Sequence, residues 1–284
     1  MFNKALVGMD LSPAEKPLVG CLPELRRWRI DTIVLAHVIR VGYVEGAGYG
    51  HEDEYRAWLD RLAAPLREAG LQVDISVIDS GDPADALLSL AAEHRADLVV
   101  VGSRSHSFAH DLFLGSVAKD VVRRSDIPVL IERIEATEAG TAETCRAVCP
   151  DKLVRVLLAT DLSEHSRSAE EVAIELAPKA TQTDCLVVLP DQGRGAIDLG
   201  QGAEAERLDS LVKRIESKGG HGRARVEYGE PPNVIARVGQ EGYSLVILGK
   251  HGRGWIEGMT IGNTAAKVCE IAKRPVLIVP LEKG

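Results

Sequence analysis

The chain has 284 residues, of which 45% are hydrophobic and 27% charged, and its formal net charge is −8. This length suits two average domains, and the acidic balance argues against a nucleic-acid or anionic-membrane surface. No apolar run of about 18 residues is present, so the sequence predicts no transmembrane helix. The start runs directly into a strand pattern rather than a signal peptide, and the five scattered cysteines favour a reducing cytoplasm.

The first half of the chain alternates strand and helix patterns. Apolar strand patterns cover 4–9, 32–38, 71–78, 96–101 and 128–131, and helix patterns cover 52–69, 84–94 and a segment that opens at Gly115-Ser116. A further helix after Asp10 is expected to be short or broken, because Pro17, Gly20 and Pro23 interrupt it.

The second half repeats this pattern. Strands are predicted at 154–160, 185–189, 224–228, 245–248 and 276–279, with a helix at 203–217. The interval from Gly102 to Gly115 is 13 residues, as is that from Gly249 to Gly262. We therefore predict a duplicated α/β domain, with domain 1 at 1–134, a linker at 135–152 and domain 2 at 153–284.

Strands that alternate with helices predict a five-stranded parallel sheet with helices on both faces of each domain. Ligands of such sheets bind at the carboxyl ends of the strands. Asp10 and Asp161 follow the first strand of each repeat, and a glycine-containing loop follows each fourth strand. These residues are therefore expected to share one edge of each sheet.

The loop of domain 2 has glycines at 249, 252 and 262, and a helix pattern begins directly after it. Glycine lets the backbone approach a ligand, and a helix N-terminus carries unpaired N–H groups that suit phosphate. The loop is not a P-loop, because His251 follows Gly249-Lys250 where Ser or Thr would be needed. It is also too long for the dinucleotide-binding turn.

The spacing Gly-x2-Gly-x9-Gly at 249–262 resembles the nucleotide-binding motif of the universal stress protein family, and the tandem repeat extends that resemblance to nearly the whole chain. Asn263 stands where the family prefers Ser or Thr. The resemblance implies two tandem Rossmann-like, adenine nucleotide alpha hydrolase-like domains. It also implies ATP or another adenine nucleotide as ligand, with Mg²⁺ a possible companion. The family includes both ATP binders and non-binders.

The resemblance implies that an Asp after strand one and the backbone at the end of strand two hold adenine and ribose, and that the glycine motif holds ribose and phosphates. The candidate residues in domain 2 are Asp161, Leu189, Gly249, Lys250, His251, Gly252, Arg253, Gly262, Asn263 and Thr264. The weaker candidates in domain 1 are Asp10, Val38, Gly102, Ser105, Gly115 and Ser116, and here Ser105 replaces the second glycine. The alternative role of Asp10 and Asp161 is to form a helix-capping turn. The alternative for Lys250, His251 and Arg253 is that they are solvated residues of a cationic loop without a ligand.

An alignment of Thr32 with Asp184 puts Pro190 opposite Val38, so a backbone donor is lost and Leu189 is left to recognise adenine. The leading hypothesis is an ATP-binding stress-response regulator with its functional site in domain 2. The alternatives are a nucleotide-free interaction scaffold and a slow ATPase. No catalytic residue is assigned, and the regulated protein is not identified.

The fifth strands, 128–131 and 275–279, are apolar, and we predict that their edges pair within the chain, so that the two repeats form a pseudo-dimer. Association of two chains into a homodimer is a further possibility. His106 and His110 are interpreted as solvated loop residues. Cys145 and Cys149 are interpreted as two unrelated thiols without a metal, and the other cysteines as small core residues.

Overall fold

The computed structural model of the chain describes residues 2–40, 52–105, 112–136, 145–191, 199–256 and 258–281. The chain forms two compact units, Met1–Pro150 (unit 1) and Asp151–Gly284 (unit 2). His106 and His110 lie outside the described residues, as does the glycine-rich stretch at 42–50. Among the described residues, no helix combines the length and apolar character needed to cross a bilayer.

Unit 1 is built on a parallel sheet. Its strands are β1 (Lys4–Met9), β2 (Thr32–Arg40), β3 (Gln72–Ser80), β4 (Leu98–Ser105), β5 (Leu112–Phe113), β6 (Val129–Ala136) and β7 (Cys145–Ala147). Its helices are α1 (Glu15–Cys21), α2 (Glu52–Glu68), α3 (Pro83–Glu93) and α4 (Ser116–Arg124). The parallel order is β6-β4-β1-β2-β3, and the short strands β5 and β7 add to β4 and β6 in the antiparallel sense.

Unit 2 has the same arrangement. Its strands are β8 (Arg155–Ala159), β9 (Gln182–Leu189), β10 (Ala224–Tyr228), β11 (Leu245–Gly249) and β12 (Val276–Val279). Its helices are α5 (Arg167–Leu176), α6 (Leu199–Ser217), α7 (Pro231–Gly239) and α8 (Asn263–Ile271). The order β12-β11-β8-β9-β10 is parallel throughout and repeats the order of the five parallel strands of unit 1. The predicted α/β fold is confirmed.

The strands differ in how completely they are buried. β12 is buried at every residue and β8 and β11 at nearly every one, as expected for parallel strands covered by helices on both faces. The outer strands β3 and β10 carry more exposed and half-exposed positions. Cys21, Cys185 and Cys269 are buried free thiols, in agreement with their prediction as core residues.

Local signals set the helix boundaries. The Asp82 carboxylate accepts hydrogen bonds from the N–H groups of Ala84 and Asp85 at 3.0 and 3.2 Å, and Pro83 occupies the first helical position of α3. The predicted break after β1 is also present. α1 stops at Cys21, and a 3-10 segment, Leu22–Trp28, continues the chain.

The predicted linker at 135–152 is partly structured. β6 runs on to Ala136, and β7 returns beside it, so that Ala136 is paired with Cys145 and Glu135 with Arg146. Backbone pairing therefore attaches 145–147 to unit 1, and the boundary between the units falls after Pro150. Composition did not reveal this short strand, because a stretch rich in Ala, Thr and Glu lacks a strand pattern.

A buried charged cluster lies at the amino ends of the strands of unit 2. Asp184 on β9 is only 3% exposed and accepts hydrogen bonds from Arg155 at 2.9 Å and from the Tyr243 hydroxyl at 2.8 Å. The Arg155 guanidinium also lies 4.2 Å from the centre of the Tyr243 ring. Burial and the hydrogen bond to Asp184 raise the pKa of Tyr243 to about 12. The cluster joins β8, β9 and Tyr243, which lies two residues before β11.

Candidate functional site

Unit 2 contains a cavity of about 380 Å³ at the carboxyl ends of its strands. β8, β9 and β11 end there, and the N-terminus of α8 closes one side, as the strand–loop–helix order predicts. Nine of the ten candidate residues of domain 2 line it: Asp161, Gly249, Lys250, His251, Gly252, Arg253, Gly262, Asn263 and Thr264.

Each glycine of the loop has a different packing reason. A Cβ on Gly249 would lie 3.0 Å from the His251 carbonyl oxygen and 3.2 Å from Cα of Ser166, so β11 passes too close to backbone for a side chain. A Cβ on Gly252 would lie 2.5 Å from Oδ2 of Asp161. At Gly262 an added Cβ would lie 3.4 Å from the Lys250 carbonyl oxygen and 3.7 Å from Cα of His251, so it would be in ordinary contact with the backbone of the loop.

Asp161 ties the loop to the end of β8. Its Oδ2 accepts a hydrogen bond from the Arg253 backbone N–H at 2.6 Å, and its Oδ1 accepts one from the Ser163 N–H at 3.0 Å. Burial acts to raise the pKa of this carboxyl group, but the hydrogen bonds from Ser163 and Arg253 outweigh it and hold the pKa below its usual value. The Asp161 carboxylate therefore closes the turn at Ser163 and holds the loop at Arg253, while the N-caps of the two helical segments that follow are Ser163 and Ser166.

The cavity has a net positive lining. Lys250 is 5% exposed, and Arg253 forms a salt bridge of 2.8 Å with Glu204 on α6. Burial, assisted by the charge of Lys250, holds the pKa of His251 below its usual value, so His251 is neutral at pH 7. No group of three or more His, Cys, Asp or Glu residues within the described ranges is placed to hold a metal ion.

Unit 1 has a cavity of about 490 Å³ at the equivalent edge of its sheet. Five of the six weaker candidates line it: Asp10, Val38, Gly102, Gly115 and Ser116. Its other described lining residues are mostly apolar, and none of the described lining residues is Lys or Arg. The two cavities therefore lie at the same edge of their sheets, and their described lining residues differ in charge.

The sequence profile of the universal stress protein family matches residues 1–133 and 153–280. The chain belongs to the universal stress protein family. Among related members, YxiE of Bacillus subtilis is 32% identical over 149 residues, which are 47% of this chain and 100% of the relative. Rv2005c of Mycobacterium tuberculosis is 28% identical over 250 residues, which are 83% of this chain and 80% of the relative.

The fold of this universal stress protein also matches solved structures over nearly its full length. The crystal structure of a universal stress protein from Archaeoglobus fulgidus covers 98% of this chain, and the match covers 96% of that chain, with a TM-score of 0.72. The sequence identity in that match is 21%, so the likeness supports the fold alone. The family resemblance inferred from the glycine spacing and the repeat is thus confirmed.

Two of the predicted site residues lie elsewhere. Leu189 does not line the cavity of unit 2; Leu186 and Val188 do, because alternate residues of a strand face the same side. The Leu189 carbonyl oxygen instead accepts a hydrogen bond from Gly229 N–H at 2.9 Å. Ser105 was expected in the loop, but it belongs to β4, where its backbone is paired with Glu135 of β6 and Leu112 of β5.

The alignment that placed Pro190 opposite Val38 was wrong by two residues. Thr32 is paired with Lys4 in unit 1, and Gln182 is paired with Arg155 in unit 2. Since Lys4 and Arg155 both lie six positions before the aspartate that follows their strand, Thr32 corresponds to Gln182 and Val38 to Val188. Pro190, which has no backbone N–H, therefore lies two residues beyond Val188, the position equivalent to Val38.

An aromatic cluster at the rim of the unit 2 cavity was not predicted. The Trp255 ring lies 5.1 Å from the ring of His165 and 5.6 Å from that of His251, measured between centroids. The Trp255 indole N–H also donates to the Met259 carbonyl oxygen at 3.3 Å. No local pattern marks such a cluster, because His165 lies far from Trp255 in sequence and only the fold brings them together.

A buried polar network beneath the same cavity was also missed. The Thr160 hydroxyl donates to Oε1 of Glu170 at 2.6 Å and lies 3.0 Å from the Ser166 hydroxyl. Burial raises the pKa of Glu170, and the hydrogen bond from Thr160 offsets part of that effect. Thr160 and Ser166 line the cavity while Glu170 lies behind them on α5, so the network joins the cavity floor to that helix.

Replacement of Asp161 by Asn is expected to destabilise unit 2 by about 1–2 kcal/mol at pH 7, since the variant loses charge-assisted hydrogen bonds from the loop backbone. The pKa of Asp161 is lowered by folding, so its contribution is present above the reference value of 3.8 and is lost as the pH falls through the lower folded value. Urea unfolding of wild type and variant between pH 7 and pH 3 measures this. Asp10→Asn, at an exposed position, is the control, and a stability difference that does not vary with pH would contradict the role assigned to Asp161.

Proposed function

We propose that unit 2 binds an adenine nucleotide, with ATP as the preferred form, and that this binding is how the protein acts as a stress-response regulator. The observation that carries the proposal is the convergence of the α8 N-terminus, Lys250 and the glycine loop on one cavity at the carboxyl ends of the strands. This is the location where open α/β sheets bind ligands.

The loop side of the cavity suits phosphate. The first turn of α8 has N–H groups without intrahelical acceptors, and Asn263 and Thr264 of that turn line the cavity. Lys250 and Arg253 supply positive charge at the same wall. Gly262 lines the cavity next to this turn, and an added Cβ there would already touch the loop backbone, so a larger side chain would crowd this wall.

The opposite side suits a purine. Leu186 and Val188 from β9, together with Pro231 and Ile235 from α7, make an apolar wall. Val188 occupies the strand position equivalent to Val38, and it keeps its backbone N–H and C=O. A planar base against apolar side chains with backbone groups at its edge is a common arrangement in ligand cavities.

The described cavity residues offer few ligands for Mg²⁺ besides the phosphates of a bound nucleotide. Asp161 is the one carboxylate among the described lining residues, and both of its oxygens already accept backbone hydrogen bonds. Mg²⁺ usually keeps several waters and is held through substrate phosphates with one or two carboxylates. We therefore expect the ion, where present, to arrive with ATP and to depend on its phosphates.

Regulation follows from differential affinity. A ligand that contacts the 250–262 loop stabilises the loop conformation that fits it, and a partner that contacts this loop then experiences a different surface. The Asp161–Arg253 hydrogen bond and the Arg253–Glu204 salt bridge connect the loop to β8 and α6. The regulated partner is an unidentified protein.

Titration calorimetry with ATP is expected to give a stoichiometry near one per chain for the wild-type protein. The physical reason is that only unit 2 combines cationic side chains with the open helix N-terminus among its described lining residues. Mass spectrometry of the denatured protein, as purified, complements the titration by identifying any nucleotide that co-purifies. No heat of binding with ATP and no co-purified nucleotide would overturn the proposal and favour the scaffold hypothesis.

A further inference from the structure

The tripeptide Asp-Leu-Ser follows the first strand of both units and has a different conformation in each. In unit 2, Leu162 has a φ of 59° and its residue is 7% exposed. In unit 1, Leu11 has no positive φ and is 59% exposed, and the Ser12 N–H donates to the backbone carbonyl of Asp10 at 2.7 Å. Because the three residues are the same, the difference must come from the residues around them.

The turn of unit 2 is strained and is held by hydrogen bonds. A positive φ is unfavourable for leucine, because its Cβ approaches the backbone carbonyl oxygen. The Leu162 N–H donates to Oγ1 of Thr160 at 2.9 Å, and its carbonyl oxygen accepts a hydrogen bond from the Arg207 guanidinium on α6. The Ser163 N–H donates to Oδ1 of Asp161 at 3.0 Å. Both polar groups of the Leu162 backbone are therefore paired in the strained conformation.

The residue before each aspartate explains why the two turns differ. It is Thr160 in unit 2 and Met9 in unit 1. The Thr160 hydroxyl donates to Oε1 of Glu170 at 2.6 Å, which directs its lone pairs to the Leu162 N–H. The residue nine positions after the aspartate, Glu170 in unit 2, is Val19 in unit 1. A methionine and a valine have neither the hydroxyl nor the carboxylate, so unit 1 lacks the pair that holds the turn.

The turn of unit 2 lies between two cavities. Leu162 lines a small cavity of about 220 Å³ together with Arg207 and Leu211 of α6. Thr160 and Asp161, which precede Leu162 in the chain, line the larger cavity at the carboxyl ends of the strands. A change of the turn therefore alters the surface beside α6 and the wall of the larger cavity at the same time.

We infer that the turn Asp161–Ser163 is a two-state element, in which the Thr160 hydroxyl, positioned by Glu170, holds Leu162 buried. The other state is the conformation of unit 1, with the leucine exposed. The two states compete because backbone strain opposes the burial of the side chain and the hydrogen bond of the N–H group.

The regulation of this element rests on the proposed function. ATP in the larger cavity contacts a wall that Thr160 and Asp161 form in the buried state, so it favours that state, and an empty cavity allows Leu162 to emerge beside α6. Exposure of this leucine is then the change of surface by which a partner distinguishes the two forms of the protein.

The test measures how fast a thiol reagent labels a cysteine placed at either leucine. Leu162→Cys and Leu11→Cys are made separately in the full chain with Cys145→Ser and Cys149→Ser, and mass spectrometry locates the label. Cys185 of β9 is fully buried and reports unfolding of unit 2. Without nucleotide, the thiol of Leu162→Cys should react at least about tenfold faster than Cys185 and more slowly than that of Leu11→Cys. A rate equal to that of Cys185 would overturn the inference.

Thr160→Val added to Leu162→Cys tests the hydroxyl without changing the size of the side chain. Labelling of the introduced thiol should become about tenfold faster relative to Cys185, because the buried state loses a hydrogen bond. Glu170→Gln keeps an acceptor for the Thr160 hydroxyl and should leave the ratio near that of the parent. An unchanged ratio in Thr160→Val would show that the hydroxyl does not hold the turn.

Saturating ATP tests the regulation. Labelling of Leu162→Cys should slow about tenfold relative to Cys185, and labelling of Leu11→Cys should not change. ATP that binds by calorimetry but leaves the Leu162→Cys ratio unchanged would overturn the coupling between cavity and turn. Failure of the proposed function is seen separately, as the absence of a heat of ATP binding, and the Thr160→Val ratio then still decides whether the turn has two states.

Discussion

ATP affinity is expected to fall by about 100-fold or more in Gly262→Val. The backbone of Gly262 has φ −71° and ψ 149°, which any residue adopts, so the substitution should not unfold unit 2. Gly262 lines the cavity and precedes α8, so we expect the added side chain to crowd the loop and the helix N-terminus where we propose that phosphate binds. Each charge-assisted hydrogen bond contributes about 1.5–3 kcal/mol, so the loss of two of them accounts for the expected change.

Gly115→Val is the matched variant in unit 1. Gly115 is the N-cap of α4 with φ −57° and ψ 156°, and an added Cβ there meets no atom within 4 Å. Both variants replace an N-cap glycine by valine, so both should lose about 1 kcal/mol of helix stability. Calorimetric titration with ATP should show wild-type affinity for Gly115→Val. The reverse result, with ATP binding lost only in the unit 1 variant, would assign the nucleotide to the other unit.

Asp184→Ala is expected to lower the free energy of unfolding of unit 2 by about 3–5 kcal/mol. The substitution leaves the Arg155 guanidinium without its buried counter-charge and removes the acceptor of the Tyr243 hydroxyl and the Gln182 side chain. The loss should appear in urea unfolding and in a Tm lower by about 10 °C or more. Nucleotide affinity of the folded variant should not change, because Asp184 lies near the amino end of β9.

Tyr243→Phe provides the control for size and position. It removes only the hydroxyl that donates to Asp184 at 2.8 Å and keeps the ring over which Arg155 lies. Its cost should be about 1.5–3 kcal/mol, which is smaller than that of Asp184→Ala. Equal losses in the two variants would mean that the hydrogen bond from the Tyr243 hydroxyl, and not the charge of Asp184 beside Arg155, accounts for the stabilising effect of this carboxylate.

The sequence was sufficient to predict the duplicated fold because the features that define it are local and repeated. The interval of 13 residues from Gly102 to Gly115 recurs from Gly249 to Gly262. The strand that precedes each interval is apolar enough to be recognised without any alignment. The cavity residues near the loop followed from the same spacing, since a strand, a glycine loop and a helix N-terminus necessarily meet at one edge.

What the sequence could not supply is strand register and contact across the fold. Leu189 was chosen from an alignment two residues out of register, and in a strand the neighbouring residue faces the opposite side. The extension of β4 to Ser105 depends on pairing with β5 and β6, which the sequence of β4 alone does not encode. The Thr160–Glu170 hydrogen bond likewise requires the position of α5 against β8.

The position of Trp255 gives unit 2 an optical signal of its own. The chain has three tryptophans, and the other two, Trp28 and Trp58, are in unit 1 and buried. Indole emission responds to the polarity and to the neighbours of the ring, and Trp255 is 36% exposed and lies between two histidines at the rim of the cavity. The intrinsic fluorescence of Trp255 therefore reports on the glycine loop without an attached dye.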